Sequence, residues 1–205
     1  MNENTLSFSV SESVGTGDVF GNPGNRGSRP VPLPLTDDEM KRLLGRMIPP
    51  HKTLSREVTK EDLPRVIKDA KDMLELCYIP MGPYSGGKAL AHPQIDDKDP
   101  LAFFVLNSGM IIINPKVVNH TEAPVDREEG CQTYPMNPMK IVKRYNKVTV
   151  QFQTIFTDEH GGYGMTAIRE DNLNGPIAHI FQHEVSHLLG HYCFDEDHKP
   201  EYCLS

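Results

Sequence analysis

His183 and His187 stand four residues apart in the run Gln182-His183-Glu184-Val185-Ser186-His187. On an α-helix, residues four apart share a face, about one turn along. Two imidazoles placed this way can hold one metal ion. Glu184 is displaced by one residue and leans to the edge of the same face. There it reaches a water held by the ion without being a ligand itself. That is the arrangement a metal-dependent hydrolase needs: two nitrogen ligands, an open position and a general base. Two nitrogens are not a complete set, and Cys131, Cys193 and His191 are the candidates for a third ligand. His191 continues the i, i+4 row. Its ordinary reading is a histidine near a helix C-terminus, favoured by the helix dipole.

The elements that must position these residues are partly legible. Asn174-Gly175-Pro176 starts the metal helix, with Ile177, Ile180, Phe181, Glu184 and Leu188 along its inner stripe. Upstream, Thr36-Asp37-Asp38-Glu39 resembles a capping box. It predicts a short helix to about Met47, which Pro49-Pro50 stops. Leu63, Val66, Ile67, Ala70, Met73, Leu74 and Cys77 form one apolar stripe of a second helix, a packing element. Strands are expected at Ala102–Leu106 and Met110–Asn114 around the turn Asn107-Ser108-Gly109. Lys147–Phe156 alternates and predicts one long half-buried strand, and Gly164–Arg169 a returning one. Antiparallel strands packed on helices make an α+β domain.

Composition sets the bounds. The chain has 205 residues, 38% of them hydrophobic, and a net charge of −7. That charge excludes a broad basic surface, so no nucleic acid is expected as a direct partner. No run of 18 apolar residues spans a membrane. The first 25 residues carry no Lys or Arg, which speaks against a secretory signal or transit peptide, and a cytoplasmic location is expected. Cys77, Cys131, Cys193 and Cys203 are too widely spaced for a dense disulfide scaffold. Residues 1–35, rich in Ser, Gly, Asn and Pro, read as a disordered or loosely attached tail. Within them, Val31-Pro32-Leu33-Pro34-Leu35 suits an extended strip. Residues 36–205 read as a single metallohydrolase domain, expected to be monomeric.

Three stretches resemble one family. Gly86-Gly87-Lys88-Ala89-Leu90-Ala91-His92-Pro93-Gln94-Ile95, then Glu129-Gly130-Cys131-Gln132-Thr133, then the HExxH run occur in the order and spacing of the three peptide deformylase motifs. Those motifs read G-x-G-x-A-A-x-Q, E-G-C-L-S and Q-H-E-x-D-H. The resemblance implies an α+β fold of antiparallel sheets around a central HExxH metal-binding helix. It implies removal of the N-formyl group from formyl-methionine at the start of nascent polypeptides, free or at the ribosome. By motif match, Cys131, His183 and His187 would be the metal ligands and Glu184 the general acid/base. Gln94 and the backbone N–H of Gln132 would stabilise the oxyanion. Gln182 and Glu129 would support the ligands, with Arg144 paired to Glu129. The cofactor would be one divalent ion, ferrous iron by family preference, with zinc, nickel or cobalt as substitutes.

The departures are specific. Ala89 replaces the second glycine of the first motif, and His92 its second alanine. Gln132 and Thr133 replace Leu and Ser, and Ser186 replaces Asp. Pro138 stands where the family often has an arginine, and the C-terminal helix of longer members is not expected. His92, beside the glutamine, is expected to narrow the pocket, because a buried cation next to a metal ion is costly. Leu90 and Ile180 are candidate walls for the methionine side chain. Two other readings stand beside this one. In metzincin proteases the third ligand is a His at the position of Cys193, which makes an HExxH peptidase with Cys193 or His191 the second enzyme reading. The third is a catalytically weak relative that binds peptide N-termini.

Overall fold

The computed structural model describes residues 35–80, 86–121, 123–196 and 198–204. The proposed tail lies outside these residues except for Leu35, which packs against the core. In chain order the elements are α1 (Asp37–Leu44), α2 (Leu63–Tyr78), β1 (Ala89–Ala91), β2 (Phe103–Leu106), β3 (Ile111–His120), β4 (Val125–Glu129) and β5 (Lys140–Arg144). They continue with β6 (Lys147–Gln153), β7 (Ile155–Thr157), β8 (Tyr163–Met165), β9 (Arg169–Asn174) and α3 (Gly175–Leu188). β1, β2, β3, β6 and β9 form one antiparallel sheet in the order β1-β2-β3-β6-β9. β4 pairs with β5, and β7 with β8. The class is α+β, with antiparallel sheets and the HExxH helix at the centre.

The period-2 alternation of the strands divides the core. Phe103, Val105, Leu90 and Ile113 face α2, against Val66, Ala70, Met73 and Leu76. Phe104, Ile112, Val148, Val150 and Phe152 face the other way, against Ala178, Phe181, Val185 and Leu188 of α3. Phe104 and Phe181 meet edge to face at 5.3 Å, a geometry that contributes about 0.5–1.5 kcal/mol beyond the area it buries. The helix that carries the histidines is therefore clamped to the sheet by its own apolar stripe. That stripe runs through Ala178, Phe181, Val185 and Leu188, while Ile177 and Ile180 are only half-buried.

Several elements differ from the sequence expectation. The capping box forms as expected, with Thr36 Oγ1 accepting from Glu39 N–H and Glu39 accepting from Thr36 N–H, but α1 ends at Leu44, before Met47. β3 continues six residues past Asn114, through a bulge at which Asn114 takes φ 49°. The Asn114 side chain satisfies Val58 on both its N–H and its carbonyl, which holds this unusual backbone. The expected strand Lys147–Phe156 splits at Thr154, because its partner changes from β9 to β8. The expected Gly164–Arg169 strand is likewise divided between β8 and β9.

Candidate metal centre

His183 and His187 project from one face of α3, and their Nε2 atoms lie 3.1 Å apart. The tautomers follow from the other nitrogens. His183 Nδ1 lies 2.9 Å from Glu129 Oε2, an acceptor at neutral pH, so Nδ1 carries the proton. His187 Nδ1 lies 3.2 Å from the carbonyl oxygen of His191, so it too donates. Both Nε2 atoms then present bare lone pairs to each other. Cys131 Sγ, from the turn after β4, lies 3.4 Å from His187 Nε2. One donor atom from each of the three residues falls within 4.8 Å of the others. Two imidazole lone pairs and a thiolate repel one another unless a cation lies between them, so the donor set fits a divalent metal ion.

The alternative ligands of the sequence lie differently. His191 faces the site with its backbone carbonyl, used by His187. Cys193 is grouped with Glu129 and His183. That set needs Glu129, whose two oxygens are already taken by Arg144 at 2.9 and 3.0 Å and by His183. An ion there would also face the guanidinium of fully buried Arg144.

Arg144 is part of a support extending from the ligands. Its Nη1 donates to Ser186 Oγ at 3.0 Å, and Ser186 Oγ donates to the Gln182 carbonyl. Ser186, in place of the family's Asp, thus accepts from the arginine. Gln182 donates to the carbonyl of Tyr145 and accepts from its N–H, which fixes α3 to the link between β5 and β6. The pair of Glu129 and Arg144 is no surface ion pair, because Arg144 is fully buried.

Glu184 is 4% exposed, and its Oε2 has no hydrogen-bond partner among the described residues. Burial raises its carboxyl pKa, against the pull of His183 and His187. A buried carboxylate with an open oxygen beside a cation site is poised to take a proton.

Gln94 lies in the 3-10 turn His92–Gln94 that follows β1, and not in a strand. Its Oε1 accepts from Ala91 N–H at 2.8 Å, which turns the amide nitrogen outward. That nitrogen donates to Thr133 Oγ1 at 2.9 Å and approaches Cys131 Sγ at 3.8 Å. Thr133 as the partner of Gln94 had no signal in the sequence, since the contact joins residues 39 apart.

His92 corrects the sequence reading. It does not narrow the pocket. Its Nδ1 accepts from Leu101 N–H at 2.9 Å, so its Nε2 carries the proton and faces Asp69 Oδ2 at 3.3 Å. The ring is fully buried and lies against Phe103. Asp69 in turn pairs with Arg46 at 2.9 Å. His92 therefore anchors the turn that carries Gln94.

Beside Cys131, Gln132 lies over Gly87, where any Cβ would collide with its side-chain oxygen. Gln132 and Thr133 border a cavity of about 600 Å³, walled by Leu44, Met47, Ile48 and Pro135 among others. Leu90 and Ile180 do not line it. Leu90 is fully buried in the core against α2, and Ile180 packs with the other core layer.

The polypeptide deformylase family matches residues 47–201. A peptide deformylase of Thermotoga sp. (strain RQ2) is 29% identical over 175 residues, 84% of this chain and 80% of the relative. Peptide deformylase 2 of Shewanella oneidensis is 28% identical over 134 residues, 56% of this chain and 64% of that protein. The crystal structure of peptide deformylase from Thermotoga maritima is similar with a TM-score of 0.53 and 28% identity, covering 69% of this chain and 86% of that one. With the family match spanning most of the sequence and the fold, the chain belongs to the polypeptide deformylase family.

Proposed function

We propose that this protein removes the formyl group from N-terminal formyl-methionine of nascent polypeptides. The observation that carries the reading is the convergence of Cys131 Sγ and the two Nε2 atoms beside the open oxygen of Glu184. Cys131, His183 and His187 would hold one divalent ion. When bound, that ion supplies Lewis acidity and lowers the pKa of a water. Glu184 takes the proton of the attacking water and passes it to the departing amine. The Gln94 amide nitrogen, turned outward by Ala91, and the Gln132 backbone N–H donate to the developing oxyanion. Glu129 holds His183 in the tautomer that leaves Nε2 free. The thiolate among the donors suits ferrous iron or zinc by softness, and nickel or cobalt by geometry.

The cavity at Gln132 and Thr133 offers an apolar path for the rest of the peptide. An apolar wall discriminates by only about 1–3 kcal/mol per methylene, so residues other than methionine should be tolerated. Residues 36–205 act as one metallohydrolase domain in this reading, a cytoplasmic monomer acting on free peptides or on chains at the ribosome. No helix among the described residues is long and apolar enough to cross a membrane.

The test is formate release. Purified anaerobically with iron, or reconstituted with nickel, the protein should release formate from formyl-Met-Ala-Ser and far less acetate from acetyl-Met-Ala-Ser. Internal cleavage of an unblocked peptide would overturn the reading.

A further inference from the structure

The ligand cysteine has a second buried thiol beside it. Cys131 and Cys193 are 3% and 0% exposed and share one small apolar cluster with Val142. The two side chains are close enough to interact directly within that cluster. Each sulfur also lies within 4.8 Å of a ring nitrogen of His183. Cys193 follows α3 in a stretch of turns, outside any helix or strand, so its backbone is not held in a hydrogen-bonded ladder. A metal ligand has no need of this neighbour, and Arg144 beside Glu129 disfavours a second cation at Cys193.

We propose that Cys193 is a resolving thiol for Cys131, so that oxidation joins the two in a disulfide and releases the metal. The release rests on Cys131 being a ligand, whereas the pairing itself does not. The oxidant is a small peroxide. Cys131 Sγ attacks one peroxide oxygen, the O–O bond breaks, and the departing hydroxide takes a proton to leave as water. Cys131 is then a sulfenic acid. Cys193 Sγ attacks that sulfur, the S–S bond forms, the S–O bond breaks, and the hydroxyl leaves with the Cys193 proton as a second water. The thiol pair gives up two electrons and the peroxide accepts them. Capture by Cys193 also prevents further oxygen addition at Cys131, which is irreversible. A thiol reductant restores both cysteines and the site.

The experiment treats the full zinc-loaded chain with hydrogen peroxide. A chromogenic chelator follows released zinc, and peptide mass mapping follows the cysteines. The expected result is a Cys131–Cys193 cross-linked peptide forming in step with zinc release, with full zinc binding regained after dithiothreitol. Cys193→Ala and Cys193→Ser should instead accumulate sulfinic or sulfonic acid on Cys131 and fail to regain zinc. The serine variant keeps a polar donor there should the alanine variant fold poorly. Sulfinic acid on wild-type Cys131 without the cross-link, or a cross-link to Cys77 or Cys203, overturns the proposal. Formate release can fail while the cross-link forms, so the two readings are separately decided.

Discussion

His92 Nε2 faces Asp69 Oδ2 across 3.3 Å, which ties the turn that carries Gln94 to the helix beneath it. A substituted position of the first motif thereby becomes part of its foundation. Arg46, from the segment after α1, closes the same group on Asp69.

Removing the imidazole should be felt as lost support. His92→Ala leaves the buried Leu101 N–H without its acceptor and takes a hydrogen bond from Asp69 Oδ2, which costs about 1–3 kcal/mol. It should lower kcat, because Gln94 loses its anchor, while the preference among first residues of the peptide stays the same. Urea unfolding and kcat/KM for several formyl-peptides check this. Unchanged stability with broadened acceptance would restore the narrowing role.

Asp69 gives a pH signature. Burial pushes its carboxyl up, but hydrogen bonds from His92 and Arg46 outweigh this and hold it at about 2. A carboxyl whose pKa is lower folded than unfolded stabilises the protein above its unfolded pKa, roughly 3.9. That contribution is lost as pH falls towards 2. Asp69→Asn should therefore be less stable than wild type at pH 7, and the gap should close between about pH 4 and pH 2. Denaturant midpoints at pH 7, 4 and 2.5 measure it, and a gap independent of pH would contradict the assignment.

Cys131→Ser should lose most of its bound metal, and His191→Ala should retain it, since the His191 ring is not among the donor atoms that converge with Cys131, His183 and His187. Elemental analysis after dialysis decides between them. Depletion in the His191 variant would show that its ring is a ligand after all.

Glu184→Gln should keep the fold and the metal and reduce kcat by about 10²–10⁴-fold. Metal content and turnover at saturating substrate are read on one preparation. Near-normal turnover would remove Glu184 from proton transfer.

What could be read in advance follows from what is local. The pairing of His183 with His187 is a matter of helix pitch, and the stripe on α2 is a matter of period. Both appear in the structure. Cys131 has no periodic signature, and its position was visible only through the order of the three motifs. The ribbon of β4 and β5 escaped because Val125–Glu129 is mostly charged and half-exposed, held by pairing and not by apolar alternation. β9 escaped for the same reason, its sequence Arg-Glu-Asp-Asn-Leu-Asn burying only Leu173. His92 was misread because its partners lie 23 and 9 residues away, across the fold. The contacts Thr133–Gln94 and Ser186–Arg144 were out of reach on the same ground.

The donors at the metal centre come from places 56 residues apart in the chain, Cys131 on the turn after β4 and His187 near the end of α3. An ion held by both is a cross-link that closes a long loop. Constraining a loop of that length removes chain entropy from the unfolded state worth about 4 kcal/mol. The ion would then rivet the small ribbon to the central helix as well as serve the reaction. Stripping it with a chelator should make the segment around Cys131 the first to exchange its amide hydrogens, while the sheet between α2 and α3 stays protected. Because Cys193 lies just beyond α3, a Cys131–Cys193 disulfide would span almost the same loop. An oxidised, metal-free molecule would thus keep its tether and retain the shape into which metal can return.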